Sequence, residues 1–416
     1  MRNVRKGETS EFLLSRTKRR HSSGSPHRNT FWLPLLGWPR KTPQSDGLVS
    51  PDYSVFDCIW GCVDYLQDLF RSPVYVEQFA LSSKGIGSGF NRLYTPDFGA
   101  IRIQAPPVNE QIQIAAVIRR FSQKVDKLIR AKRRVIELLN EQKHAIIHRA
   151  VTRGLDSNIR LQPSDIQWLG EIPQHWEVWQ IGHFARIGNG STPSRSKPAY
   201  WTENGYPWLN SSTVNNEVVT SSDQFVTALA LKECHLPRVS PGSVLIAITG
   251  QGKTRGMSAM LQIEATINQH LAFVSPHSSI VTAEYLQIAL TGAYPALRAI
   301  SDDSGSTKGA LTCADIRHFR IALPPICEQK RIIDHVREET RQAYTMISQT
   351  KREIDLLYEY RTRLIADVVT GKLDVRGVEM PEIEDEEAIE PLTDTEEEES
   401  EDSKELVATE VSEDAD

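Results

Sequence analysis

Residues 48–156 align with residues 266–374 at a constant offset of 218 and without gaps, so whatever one segment folds into, the other must fold into as well. Ser88 falls on Ser306, Leu93 on Leu311, Asp97 on Asp315, Arg102 on Arg320 and Ile103 on Ile321. The best-matched part follows. Pro106-Pro107-Val108-Asn109-Glu110-Gln111 lies over Pro324-Pro325-Ile326-Cys327-Glu328-Gln329, and Val151-Thr152-Arg153-Gly154-Leu155-Asp156 over Val369-Thr370-Gly371-Lys372-Leu373-Asp374.

Between those two marks each copy runs for more than forty residues without an internal Gly or Pro. A stretch that starts after Pro-Pro and stops near Gly has the punctuation of one long helix. In the second copy Ile333, Val336, Thr340, Ala343, Ile347, Thr350, Ile354, Leu357, Arg361, Leu364 and Val368 step alternately by three and four, a heptad seam. The first copy gives Ala115, Ile118, Ser122, Val125, Ile129, Lys132, Ile136, Leu139, Lys143, Ile146 and Ala150, with polar residues at the same three places. At 1.5 Å rise per residue each helix is on the order of 60 Å long. Two such helices in one chain, each following a globular segment, are expected to pack as an antiparallel coiled coil. His144 and His148 stand one turn apart on the first helix, but without the Glu of a zincin they read as exposed polar residues.

The segment from 172 to 322 reads as an α+β head. Val244 to Thr249 has the composition of a buried strand and Glu284 to Leu290 that of a short helix. Its loops carry the side chains that meet base edges and phosphates: Thr192, Ser194, Arg195 and Lys197; Asn210, Ser211, Ser212 and Thr213; Gln251, Lys253, Thr254 and Arg255; Asn268, Gln269 and His270; Ser306 and Lys308. Arg and Lys pair with guanine, Asn and Gln with adenine, and Ser or Thr with base or phosphate, which makes double-stranded DNA the expected partner. Thr249-Gly250-Gln251-Gly252-Lys253-Thr254 ends as a phosphate-binding loop does. The first glycine of that motif falls on Ala247, however, and the loop continues into Arg255-Gly256 rather than a helix. A nucleotide-binding enzyme is therefore the weaker alternative. No motif for amino-methyl transfer, helicase action or a nuclease centre accompanies it, and Pro51-Asp52 reads as a strand-edge turn. Catalytic, cofactor and metal residues are expected to be absent.

Charge divides the chain. Residues 377–416 hold nineteen Asp or Glu against the single Lys404, and taking that −18 from the whole-chain −6 leaves residues 1–376 at +12. A basic body suits a phosphate-bearing partner, and the acidic tail has too few apolar residues to offset the entropy of ordering, so it reads as disordered. No run of eighteen apolar residues and no signal peptide is present, which points to the cytoplasm and no membrane. Cys58, Cys62, Cys234, Cys313 and Cys327 are odd in number and irregular in spacing, as reduced thiols are.

Taken together, Trp168-Leu169-Gly170-Glu171-Ile172-Pro173-Gln174-His175-Trp176, then Gly190-Ser191-Thr192-Pro193, Pro207-Trp208-Leu209 and the duplicated helix starts and ends resemble the specificity (S) subunit of type I restriction-modification systems. The likeness covers about residues 46–376. It implies a non-catalytic DNA-recognition subunit in which two target-recognition domains read a split site while paired helices act as ruler and docking surface. It also implies two methyltransferase (M) subunits and endonuclease-translocase (R) subunits as partners, which would hold S-adenosylmethionine, ATP and magnesium. The expected organisation is a basic segment without assigned structure at 1–45, a partial first recognition domain at 46–106, and spacer helix 1 at 107–156. A linker follows at 157–171, then the second recognition domain at 172–322, spacer helix 2 at 323–376 and the tail at 377–416.

One departure stands out. The second head has residues 172–265 ahead of the repeat, about twice what precedes the first copy, and residues 1–45 show no sequence likeness to them. Ten Arg or Lys against two Glu, with Thr30 to Leu36 as the only apolar cluster, fill that segment. A truncated remnant that docks M but reads one half-site or none is the alternative this raises. A pure coiled-coil scaffold would have no use for a 150-residue head.

Overall fold

The computed structural model describes residues 14–16, 30–34, 53–58, 61–85, 91–250, 253–277, 279–302 and 309–378. Pro51-Asp52 and the acidic tail beyond Val378 lie outside them. In chain order the first copy comprises β1 (Leu14–Arg16), β2 (Thr30–Pro34), β3 (Tyr53–Cys58), α1 (Val63–Arg71), α2 (Pro73–Ser82), β4 (Lys84–Gly85), β5 (Asn91–Arg92), α3 (Thr95–Gly99) and the 46-residue α4 (Val108–Arg153). Next come β6 (Leu161–Pro163), β7 (Glu171–Pro173), β8 (Glu177–Gln180), β9 (Ala185–Asn189), β10 (Trp201–Thr202), β11 (Tyr206–Leu209), β12 (Val218–Val219), β13 (Gln224–Val226) and α5 (Ala228–Glu233). The chain continues through β14 (Val244–Ala247), β15 (Ser258–Leu261), β16 (Thr266–Ile267), β17 (Leu271–Pro276), α6 (Ala283–Gly292), α7 (Tyr294–Asp302), α8 (Cys313–His318), β18 (Arg320–Leu323) and α9 (Ile326–Val369). The α+β class is as the sequence predicts.

Both long helices start and stop where the sequence punctuates them. The Pro107 and Pro325 carbonyls accept the amides of Glu110 and Gln111, and of Glu328 and Gln329, closing the first turns. Gly154 and Gly371, at φ of +71° and +72°, end them in the left-handed conformation that costs glycine least. The expected linker at 157–171 is not featureless, because β6 pairs antiparallel with β7.

Two compact units emerge: the described residues up to Arg134 with those from Gln349 onward, and Val135–Ser348. In the first, α1, α2 and α3 enclose Tyr65, Leu66, Leu69, Phe70, Tyr75 and Phe98 and pack on Ile114, Ala115 and Ile118 of α4 and Val368 and Val369 of α9. The α4 and α9 segments run antiparallel, since Asp126 meets Arg361 (2.8 Å) and Lys132 meets Glu353 (2.5 Å), with Phe121 edge-on to Tyr360. Fully burying each large aliphatic side chain contributes about 1.5–3 kcal/mol.

In the second unit the five-stranded sheet β12-β15-β14-β17-β9 carries the main core, with α6 laid along it. β8 and β18, the two ends of the head, pair antiparallel and close it. That core packs on Ile147, Ala150 and Val151 of α4 and Ile332, Ile333 and Val336 of α9. A second sheet, β10-β13-β11-β16, has its own small core of Tyr200, Trp208, Val226, Ala230 and Leu236. His144, read as exposed, is half-buried beside Tyr294, and burial holds its imidazole below the usual histidine range; His148 meets the Trp168 carbonyl at 3.1 Å.

Comparison of the two copies corrects the gapless alignment. Ile114, Ala115 and Ile118 correspond at 218 to Ile332, Ile333 and Val336, as do Ala150 and Val151 to Val368 and Val369. For α1 and α6, however, the equivalence is 220: buried Tyr65 bonds the Gln104 carbonyl (3.0 Å) as buried Tyr285 bonds that of Ala322 (2.8 Å). Two residues are gained and then lost between the strand and α3, where loop length is free to vary.

The structure also finds kinship where sequence shows none. β3 is flanked by β1 and β2, as β17 is flanked by β9 and β14, all antiparallel. At offset 218 the registers coincide: Leu14 opposite Cys58 matches Ala185 opposite Pro276, and Phe31 opposite Phe56 matches Val244 opposite Val274. Segments 14–16 and 30–34 thus rebuild the frame of the second head. What differs is the insertion. Residues 190–243 separate β9 from β14, 54 in all, whereas only the 13 residues 17–29 separate β1 from β2. The longer connection carries β10, β11 and β13 of the second sheet and β12 of the main one.

Candidate nucleic-acid interface

The candidates from the second head gather around the segment following β9. Gly190 makes the first bend: a Cβ there would sit 1.7 Å from the Ile267 carbonyl oxygen, and its amide donates to the Asn268 carbonyl at 3.2 Å. Only glycine lets the two backbones approach this closely. The indoles of Trp208 and Trp201 then donate to the carbonyls of Ser191 and Ser194, both at 3.2 Å, fixing the path of the loop.

Two clusters result. In the first, the Thr192 hydroxyl donates to Gln269 Oε1 (2.6 Å), Gln269 Nε2 lies 3.2 Å from His270 Nε2, and His270 Nδ1 lies 2.6 Å from the Thr249 hydroxyl. Asn268, 3% exposed, accepts the His270 amide through its side chain at 3.1 Å. Asn268 is thus an internal strut, while Thr192, Gln269 and His270 are half-buried at its edge. In the second cluster exposed Arg195 lies 3.6 Å over the Trp201 ring and 5.2 Å from that of Trp208, and it donates to Gln224 Oε1 at 2.6 Å. Nearby, Lys197 bonds Glu233 and the Tyr200 hydroxyl, each at 2.8 Å. That partnership raises the lysine pKa and lowers the carboxylate's, so both remain charged but mutually neutralised.

The other candidates divide. Asn210 caps the turn that follows it, its Oδ1 accepting the Ser212 amide (3.1 Å) and hydroxyl (2.6 Å); Ser211 and Thr213 are half-buried beside it and Ser212 is exposed. Lys253 is exposed and its carbonyl accepts the Tyr294 hydroxyl at 2.7 Å, while Thr254 turns the chain by accepting the Met257 amide. Arg255 is internal, 4% exposed, with its guanidinium on Asp302 and the Gly309 carbonyl (2.7 Å), so it braces the turn. Gln251, Ser306 and Lys308 lie outside the described residues. The Gly-Lys-Thr turn leads from β14 into its antiparallel neighbour β15. A phosphate-binding loop needs a helix N-terminus at that place, so the geometry disfavours nucleotide binding.

Sequence reading passed over Trp201, Gln224, Tyr200 and Glu233. Aromatic residues interleaved with Arg195 and Lys197 were the available signal. Among the described residues no three His, Cys, Asp or Glu side chains are gathered as a metal site, and no helix is long and apolar enough to cross a membrane.

Comparison with known proteins follows this geometry. Residues 173–355 match the type I restriction modification DNA specificity domain. The type I restriction enzyme EcoR124I/EcoR124II specificity subunit of Escherichia coli is 25% identical over 200 residues, covering 47% of this chain and 48% of that one. The MjaVIII specificity subunit of Methanocaldococcus jannaschii is 24% identical over 315 residues, 74% of this chain and 71% of its own. This chain therefore spans about half the length of the Escherichia coli relative. A chain solved in work on complex assembly and conformational transition of the type I R-M system shares the fold with a TM-score of 0.54 at 18% identity, over 83% of this chain and 82% of that one. Residues 173–355 thus match the type I restriction modification DNA specificity domain, and the chain is similar to type I restriction enzyme specificity subunits over the lengths given.

Proposed function

We propose that this chain is a DNA-binding specificity subunit that makes and breaks no bond, recognising duplex DNA for a type I restriction-modification complex in the cytoplasm. The observation that carries the reading is the duplicated unit, a β-framed head followed by a helix of more than forty residues, with the specificity-domain match lying over the complete copy. α4 and α9 would pair as an antiparallel coiled coil that spaces the reading ends and docks two M subunits, with R subunits joining for restriction. S-adenosylmethionine, ATP and Mg2+ would belong to those partners. The contacts to DNA would come from the loops after β9, β11, β14 and β16: Arg195, Lys197, Ser212 and Lys253 from the exposed surface, with Thr192, Ser194, Ser211, Thr213, Gln269 and His270 at its edge.

A second reading is favoured by one observation, the missing insertion between β1 and β2. On it the chain reads a single half-site, because the first head keeps a frame without a reading lobe. Methylome sequencing of cells that carry this chain and its M subunit tests both. A bipartite methylated motif supports two reading heads, a one-sided motif supports the second reading, and unmodified DNA overturns the function.

A further inference from the structure

The insertion present in one head and not in the other marks a part with its own work. Part of it, around Tyr200, Trp208 and Val226, has its own core, while β12 and Val214 join the main sheet, and β1, β2 and β3 pair without either part. Its charge is also telling. Residues 190–243 contain four Lys or Arg and four Asp or Glu, a net of zero, although residues 1–376 as a whole are at +12. A lobe that held DNA by attraction to phosphates would be basic. A neutral lobe adds little to general affinity, and its value lies in discrimination.

Within it the exposed cation stacked on indole rings is Arg195. Its guanidinium is stacked 3.6 Å over Trp201, flanked by Trp208 at 5.2 Å and tied to Gln224 by a 2.6 Å bond. Trp201 is itself pinned by its bond to the Ser194 carbonyl, one residue from the arginine it supports. Such a stack fixes the plane of the guanidinium before any ligand arrives. A phosphate can be gripped by a fork but equally by a bare point charge, from many directions. A planar, bidentate acceptor pair gains from a fixed plane, and in duplex DNA that pair is the O6 and N7 edge of guanine in the major groove. Lys197, two residues on, is no rival because Glu233 neutralises it.

Resting on the DNA-binding reading above, we infer that Arg195 is a base-reading residue for one guanine of the half-site, with Trp201 and Gln224 as positioning residues that hold its guanidinium in plane. Selection from a randomised duplex pool by the full-length chain tests it, using wild type, Arg195→Ala, Arg195→Lys and Gln224→Ala. Wild type should enrich a motif with an essential guanine. Arg195→Ala should lose about 10- to 100-fold of the preference at that position and leave the others intact. Arg195→Lys should lose part of it, since an ammonium cannot reproduce the fork, and Gln224→Ala should weaken the same position alone. Arg195 is exposed, so the melting temperature of Arg195→Ala should stay near that of wild type. An unmoved motif overturns the assignment, whether or not stability falls. So does a uniform loss across sequences with a shallower salt dependence, the mark of a phosphate contact. If wild type enriches no motif at all, the function reading itself fails and takes this assignment with it.

Discussion

A buried amide explains why both helix signatures end on glutamine. Gln329, 0% exposed, accepts the Thr282 amide (2.9 Å) through Oε1 and donates through Nε2 to the carbonyls of Ile280 (2.7 Å) and Pro324 (2.9 Å). Thr282 is the N-cap of α6, so one side chain ties the start of the long helix to the start of the helix packed on it. Gln111 repeats the device, accepting the Cys62 amide at the N-cap of α1 (2.8 Å) and donating to the Pro106 carbonyl (2.8 Å). Gln329→Ala removes the acceptor of the Thr282 amide and one donor each from the Ile280 and Pro324 carbonyls, and a buried group left unsatisfied costs about 1–3 kcal/mol. Denaturant titration should show that variant less stable by about 3 kcal/mol, and a change under 1 kcal/mol would show the bonds to be dispensable. Gly190→Ala faces a harder obstacle, because the Ile267 backbone must move to admit the methyl. Its expected outcome is loss of DNA selection together with a change in near-ultraviolet circular dichroism from Trp201 and Trp208, while far-ultraviolet helix signal persists.

At the scale of elements, what the sequence made legible was whatever is written in side-chain periodicity. The seam positions Ala115, Ile118, Val125 and Ile129 are buried, as are Ile333, Val336, Thr340, Ala343, Ile354 and Val368. The shared polar interruptions also have a reason. Arg361 pairs with Asp126 in one unit, and the equivalent Lys143 lies 4.1 Å over the ring of Tyr344 in the other, where both also reach Glu217 of the head. Burial and that carboxylate raise the Tyr344 pKa, keeping its hydroxyl protonated as the donor. The frame strands at 14–16 and 30–34 were illegible for the opposite reason: strand register is set by backbone hydrogen bonds, which place few demands on residue identity. The two-residue slip had a visible sign, Tyr65-Leu66-Gln67 against Tyr285-Leu286-Gln287, that a fixed offset conceals. Nor could spacing reveal the Arg195 stack. It joins residues from the β9 loop, β10, β11 and β13, and only sheet pairing brings them together.

For the molecule as a whole, the net charge of −6 conceals a competition between the +12 of residues 1–376 and the −18 carried beyond them. A polyanion tethered to a chain that binds DNA as proposed repels phosphate at a distance and can occupy cationic side chains at an effective concentration on the order of millimolar. Both effects are electrostatic, so both fade as salt shortens the screening length from about 14 Å at 50 mM to about 6 Å at 300 mM. Deleting residues 379–416 should therefore raise affinity for random-sequence duplex about tenfold at low ionic strength, with the advantage gone by about 300 mM salt. The selected motif should not change, because discrimination is assigned to a lobe of zero net charge. Fluorescence anisotropy across a salt series distinguishes this from a tail that only aids solubility. In that case truncation would leave the binding curves superimposed at every salt concentration, and the deleted chain would simply precipitate at lower protein concentration.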